Sequence, residues 1–406
     1  MPEAGDGHVI DKRATAYQQI RILDPFDAGS AKSRSGQVII PLSHNFLLRG
    51  TLPCAGVPKN LLWRIFGVAK RGLLSVDQPR IGVIGAGRHA KANIYPAARL
   101  AGALIAAVCA RHLDRAQATA GEFGVDHAYA SPAEMLRRER LDAVFVIAPE
   151  KEQAGVVREV LRAGLPVFAE KPVGLDEHEA DEIADLAART GKPVMVGFMK
   201  RFAPAYMHLK QFMHEPGFGD PLSFHGMFAI GSRPGWDDAW FIKTGGIHYV
   251  DLCRYLFGEV TEVRGFGNTH QIQVDQCFTL RFAHGEIGGL FFAGVPAWTR
   301  HHEELTVTGT HGFARVENLL RVAAHLDRPA SGDRPRWQMI DEEDRVFTPV
   351  HTSASGRLKD LYLNGYVGEI THFLECLRSG TEPQPSAADN VKTMGLCDRI
   401  LRAIRS

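Results

Sequence analysis

Three stretches of this sequence carry residue types able to do chemistry. Gly85-Ala86-Gly87-Arg88-His89-Ala90 has the spacing of a phosphate-binding turn, Ala169-Glu170-Lys171-Pro172 ends an apolar run in a lysine, and Gly245-Gly246-Ile247-His248 sets a histidine after a glycine pair. Lys171 can steady an oxygen that gains negative charge, or donate to a carbonyl. His248 is of the residue type that titrates near neutrality and can accept a hydroxyl proton. Asp251, three residues later, shares its helix face and is placed to orient the ring. Taken singly, each has an ordinary explanation: a surface lysine at a helix entry, or one of 18 histidines filling a helix N-terminus. Their pairing makes them candidates.

In the glycine turn, Gly85 permits the tight bend, Gly87 lets backbone approach a pyrophosphate, and Ala90 keeps the following helix close to a sheet. Arg88, His89, Glu170 and Lys171 complete the expected cofactor contacts. A dinucleotide domain that prefers NAD places an acid roughly twenty residues further on. Here the second strand ends Val108-Cys109-Ala110-Arg111-His112, and the nearest acid, Asp114, falls in the next helix. Arg111 can pair with a 2′-phosphate and stack on adenine, which favours NADP over NAD. A solvated arginine in a chain that accepts either cofactor is the other reading. A nicotinamide dinucleotide beside such a lysine and histidine makes hydride exchange with a secondary alcohol or ketone the expected chemistry. Trp240 and Lys243, just before the glycine pair, and Arg201 and Tyr206, in Gly197-Phe198-Met199-Lys200-Arg201-Phe202-Ala203-Pro204-Ala205-Tyr206, are candidate substrate contacts.

The elements that must position these groups fall into an α/β pattern. Apolar runs at Arg80 to Ile84, Ala103 to Cys109, Ala143 to Ala148, Pro166 to Ala169 and Pro193 to Gly197 alternate with helical spacing, as in Glu150 to Ala163 and Glu177 to Arg189, which predicts a parallel, doubly wound Rossmann sheet. Past Met199 the runs Leu222 to Ile230, Val260 to Phe266, Phe278 to Phe282, Gly285 to Ala293 and Glu303 to Thr308 predict an open, mostly antiparallel sheet. One helix from about Ile247 to Phe257, capped by Gly258, interrupts them, and helices over Val367 to Leu377 and Ala387 to Ile404 close the chain. The expected domains are a dinucleotide-binding domain at 79–198 and a C-terminal α/β domain for substrate binding and oligomerisation at 199–406. Residues 1–78 form an extension of unknown role: an arm, an oligomer contact or a leader.

Composition narrows the classes further. With 406 residues, 45% hydrophobic and 23% charged, the chain can fill two cores. A net charge of +1 without a long basic block sets nucleic acid aside as a partner. The six cysteines form no CxxC pair, so no metal site is expected. No apolar run reaches a membrane span and no secretory leader is visible, so a reducing cytoplasm is the expected location, without a membrane partner.

With these segments in order, the chain resembles the family that includes glucose-fructose oxidoreductase, inositol 2-dehydrogenase and the MocA proteins (Gfo/Idh/MocA). The resemblance runs from Pro79 to Ser406 and is carried by GVIGAGRHA from Gly82, VFAEKPVGL from Val167, GFMKRFAPAY from Gly197 and GGIHYVD from Gly245. It implies a nicotinamide-dependent enzyme acting on sugars, amino sugars, cyclitols or related alcohols, and a homo-oligomer, dimer or tetramer. It carries the family's lysine onto Lys171 and its acid/base position onto His248. Two departures stand out. Many members have an aspartate four residues before the histidine, where this chain has Thr244, itself a candidate substrate contact. The family's TPxxxH appears as Ala148-Pro149-Glu150-Lys151-Glu152-Gln153, so Ala148 and Pro149 are the expected cofactor contacts there. Two other readings accompany the dehydrogenase: a glycosidase that retains its cofactor, and a silent dinucleotide-binding regulator. Retention of Lys171 and His248 favours the dehydrogenase.

Overall fold

A computed structural model describes residues 38–42, 46–50, 78–231, 236–270, 273–326, 344–350 and 356–405. The chain divides into two compact units, Met1–Asp77 and Gln78–Ser406. In the first, Val38–Leu42 (β1) and Phe46–Gly50 (β2) pair antiparallel. The apolar stretch Leu61 to Val68 lies outside the described residues.

The second unit begins with a six-stranded parallel sheet of Arg80–Ile84 (β3), Leu104–Cys109 (β4), His127–Tyr129 (β5), Ala143–Val146 (β6), Val167–Glu170 (β7) and Val194–Gly197 (β8), in the order β5-β4-β3-β6-β7-β8. That order reverses between β3 and β6, so the carboxyl ends of those strands open the crevice in which doubly wound folds bind ligands. Helices cover both faces, which is why β6, β7 and β8 are buried at every position and read as apolar runs, broken only by Glu170 at the end of β7. β5 escapes that signal because it is a three-residue strand at the sheet's edge with no buried position.

The second sheet contains Pro221–Ile230 (β9), Val260–His270 (β10), Gln273–Phe282 (β11), Ile287–Gly294 (β12), His302–Gly309 (β13), Gly312–Glu317 (β14), Arg321–Leu326 (β15) and Asp344–Phe347 (β16). Their order is β10-β11-β12-β9-β13-β14-β15-β16, and every pair is antiparallel except β12 with β9. Alternate residues of β11 and β13 are buried, the mark of a sheet covered on one face. The cover includes the helix Ile247–Phe257, which carries nine buried residues and ends at Gly258 with a φ of 87°. The closing helices return to the first sheet. Phe373, in the helix Tyr366–Ser379, packs its ring 5.8 Å from both Phe145 and Phe168, and Ser386 bridges to Met195 just before the last helix, Ala387–Arg405.

Candidate active site

At the end of β3 the chain turns through Gly85 with a φ of 142°, where a Cβ would stand 2.3 Å from the Ile147 carbonyl oxygen. Only glycine fits that bend. Gly87 has nothing within 4 Å of the position a Cβ would take, so its backbone faces open space. Ala90 is buried and opens a π-helical turn, Ala90–Ile94, leading into the helix Tyr95–Leu100. This open backbone at a helix start fits the pyrophosphate of a dinucleotide. His89, in the same turn, reaches the next strand but one: Asn93 Nδ2 donates to its Nδ1 at 3.0 Å, so its Nε2 carries the proton donated to Glu170 Oε1 at 2.8 Å. The Lys171 N–H donates to Glu170 Oε2 at 3.2 Å. Burial alone would raise the Glu170 carboxyl, but His89 and Lys171 outweigh it and hold the group below its ordinary value.

Gln153, which stands where the family pattern has histidine, is buried and ties the carboxyl ends of β6 and β7 together. Its Oε1 accepts from the Ala148 N–H at 2.7 Å, and its Nε2 donates to the carbonyls of Val146, at 3.4 Å, and Glu170. Pro149 precedes the helix Glu150–Arg162 at its N-cap. His89 thus joins the turn to the end of β7, and Gln153 braces that end from β6.

Lys171 leaves the end of β7 half-buried, and its Nζ donates to the Thr244 carbonyl at 2.8 Å. Position 244 therefore contributes backbone to the lysine, four residues before His248. Burial lowers the Lys171 ammonium, with Glu170 and Glu150 offsetting part of the effect. His248 is 8% exposed, and Phe198 meets its ring edge-on at 6.3 Å. Its Nδ1 is enclosed without a partner, which leaves Nε2 as the ring nitrogen open to the cleft. Burial, and then the charges of Lys171 and Lys200, push His248 well below the ordinary imidazole value, so the ring is neutral and able to accept a proton at neutral pH.

Asp251 does not orient that ring. Arg201 takes both of its oxygens, Nε at 2.7 Å and Nη2 at 2.6 Å, and Thr393 Oγ1 adds a third bond at 3.1 Å. A bidentate guanidinium pair is stronger than a single imidazole bond, and it decides where the carboxylate points. The same pairing occupies Arg201, a candidate substrate contact: its other partner is Asp389 at 2.5 Å, and it lies over the Tyr255 ring. Tyr206 is also withdrawn from the cleft, fully buried with its hydroxyl bonded to Tyr249 at 2.9 Å and to Glu303 at 3.0 Å. Lys243 pairs with Asp398 at 2.5 Å and donates to the Leu175 carbonyl, while Trp240 stacks on Trp236 at 4.2 Å. Arg111 is exposed and pairs with Glu152 at 2.9 Å.

Several groups around the site carried no local signal. Lys200 and Glu303 are buried partners 103 residues apart, and His301 Nε2 lies 3.0 Å from Glu303 Oε2. Glu369 is fully enclosed with both carboxyl oxygens unpartnered, and burial together with Glu170 raises it well above the ordinary range. Among the described residues no group of three or more His, Cys, Asp or Glu side chains could hold a metal, and no helix is long and apolar enough to cross a membrane.

Fold and site define a two-domain oxidoreductase that uses a nicotinamide dinucleotide. Residues 79–198 match the oxidoreductase family with an NAD-binding Rossmann fold, and residues 206–315 match the GFO/IDH/MocA C-terminal domain. The chain belongs to the Gfo/Idh/MocA family. It is 25% identical to D-apiose dehydrogenase of Paraburkholderia graminis, over 78% of this chain and 85% of that one. It is 28% identical to scyllo-inositol 2-dehydrogenase (NAD(+)) of Bacillus subtilis, over 75% and 88%. Among solved structures, a dehydrogenase from Chromobacterium violaceum superposes with a TM-score of 0.71 at 20% identity, covering 81% of this chain and 96% of its own.

Proposed function

We propose that the chain moves hydride between a nicotinamide dinucleotide and a secondary alcohol or ketone on a sugar, amino sugar or cyclitol. The observation that carries this reading is the meeting of Lys171 and the His248 segment, through the 2.8 Å bond to the Thr244 carbonyl, beside the glycine turn. The relatives named for apiose and inositol oxidation support the substrate class.

In this mechanism Gly85, Gly87, Arg88, His89 and Ala90 hold the dinucleotide, with Ala148, Pro149, Glu170 and Lys171 along the remaining edge. When bound, the nicotinamide supplies the carbon that takes or gives hydride. The N–H bonds of Lys171 not used by Thr244 donate to the substrate oxygen and stabilise its negative character as the carbon–hydrogen bond breaks. The neutral His248 accepts the hydroxyl proton at Nε2 and returns it in the reverse direction. The enclosed setting strengthens both interactions, because there is little water to screen them. NADP is the favoured cofactor in this reading, since the Arg111–Glu152 pair is exposed, weakly held and open to exchange for a 2′-phosphate. A cytoplasmic homo-oligomer completes it, supported by exposed Phe266, Phe291 and Phe313 on the second sheet.

The test is Lys171→Ala, assayed against a panel of sugars and cyclitols alongside direct titration with NADPH and NADH. Turnover should fall at least about a hundredfold while dinucleotide affinity changes little. Wild-type turnover in the variant would refute the assignment, and failure of the wild-type protein to bind either dinucleotide would refute the whole reading.

A further inference from the structure

We propose that His301 is a substrate-contacting residue whose Nδ1 accepts a hydrogen bond from a second hydroxyl of the substrate, and that it thereby selects polyols over simple alcohols. The inference rests on the hydride-transfer reading above and goes beyond it by naming what recognises the rest of the substrate.

His301 lies one residue before β13, and its side chain is 46% exposed although its partner Glu303 is only 2% exposed. The ring meets Phe228 edge-on at 5.0 Å. Phe228 in turn packs 5.8 Å from the Tyr249 ring and 3.7 Å from where a Cβ on Gly245 would stand. His301 therefore borders the glycine pair and the first turn of the helix that carries His248.

The ring is held by a prepared carboxylate. Glu303 is fixed by the Lys200 ammonium and by the Tyr206 hydroxyl at 3.0 Å, and its backbone N–H donates to Asn318 Oδ1 at 3.0 Å. Lys200 and His301 together keep the Glu303 carboxyl well below the usual carboxylate range, despite its burial. An ionised carboxylate 3.0 Å from Nε2 calls for a proton on that nitrogen, so in the neutral ring Nδ1 is the acceptor. Nδ1 has no protein partner among the described residues. An immobilised acceptor at the edge of the cleft fits a hydroxyl, which is a donor. Position 244 is threonine here, and its carbonyl already serves Lys171.

The experiment uses the full chain with bound NADPH, labelled with 15N-histidine, and titrates it with myo-inositol and separately with cyclohexanol. His301 and His248 signals are assigned from His301→Phe and His248→Gln. Both signals should move with myo-inositol along one saturation curve. His301→Phe keeps a ring against Phe228 but removes the acceptor, so it should weaken myo-inositol roughly five- to tenfold and leave cyclohexanol unchanged. His301→Asn, which restores an acceptor near the Nδ1 position, should recover part of the loss. Unchanged NADPH affinity reports that each variant is folded. If His248 moves with myo-inositol while His301→Phe binds it as tightly as the wild type, the assignment of His301 is overturned. If neither histidine responds to myo-inositol although NADPH binds, the polyol reading itself fails, and this proposal with it.

Discussion

Replacing Glu369 by glutamine should stabilise the protein by an amount that grows with pH. In the folded chain the Glu369 carboxyl is enclosed, unpartnered and close enough to the Glu170 carboxylate to feel its charge, and both effects favour the protonated form. In the unfolded chain the same group ionises at an ordinary glutamate value. Below that value both states hold the proton and the residue makes no difference. Above it, and up to the raised folded pKa, the unfolded chain has lost one proton that the native chain keeps. Stability contributed by the acid form is therefore lost with rising pH, at about 1.4 kcal/mol per pH unit. Glu170 adds no slope there, because its lowered pKa leaves it ionised in both states. Glutamine cannot ionise, so the wild-type minus variant difference isolates Glu369. Urea unfolding of both proteins from about pH 5 to about pH 8 should give that slope. Infrared spectra should show a protonated carboxyl band in the wild type that the variant lacks. A stability difference independent of pH, with no such band, would refute the reasoning by showing that the folded carboxyl is ionised.

Asp251→Asn should cost about 3–5 kcal/mol in urea unfolding, since it leaves the buried Arg201 guanidinium short of a counter-charge. Its effect on the pH dependence of turnover should be small, because Asp251 does not touch His248, and a large shift in that profile would restore the orienting role. Arg111→Ala should weaken NADPH by roughly tenfold or more and NADH little, read by nicotinamide fluorescence. Equal losses for both would make Arg111 a surface residue that only pairs with Glu152.

The first sheet was legible because its strands are covered on both faces. A strand buried along its length is apolar except where a charge finds a partner at its end, and β3, β6, β7 and β8 emerged within a residue or two of their ends. The same rule explains the loss of β5, which is short and has no buried position. In the second sheet one covered face leaves only alternation. That survives in β11, β12 and β13, but over the shorter β14 and β15, where Arg315, Glu317 and Arg321 face outward, it covers too few residues to stand out.

The site divides along a similar line, set by how far apart in sequence the partners lie. The glycine turn and the lysine at a strand end are local constructions: backbone geometry dictates the residue type, so the type reveals the geometry. Charged residues behave differently. Arg201 and Lys200 are neighbours in a stretch that looks suited to meeting substrate, yet both are buried, one on Asp251 and Asp389, the other on Glu303. A buried charge must find a counter-charge, and these partners lie 50, 188 and 103 residues away. Sequence proximity therefore pairs Asp251 with His248, three residues off, while the fold offers it a guanidinium that satisfies both oxygens at once. The consequence is a histidine without a carboxylate of its own, crowded by cations and kept neutral. A neutral ring keeps a lone pair free to take the hydroxyl proton, which the proposed chemistry requires.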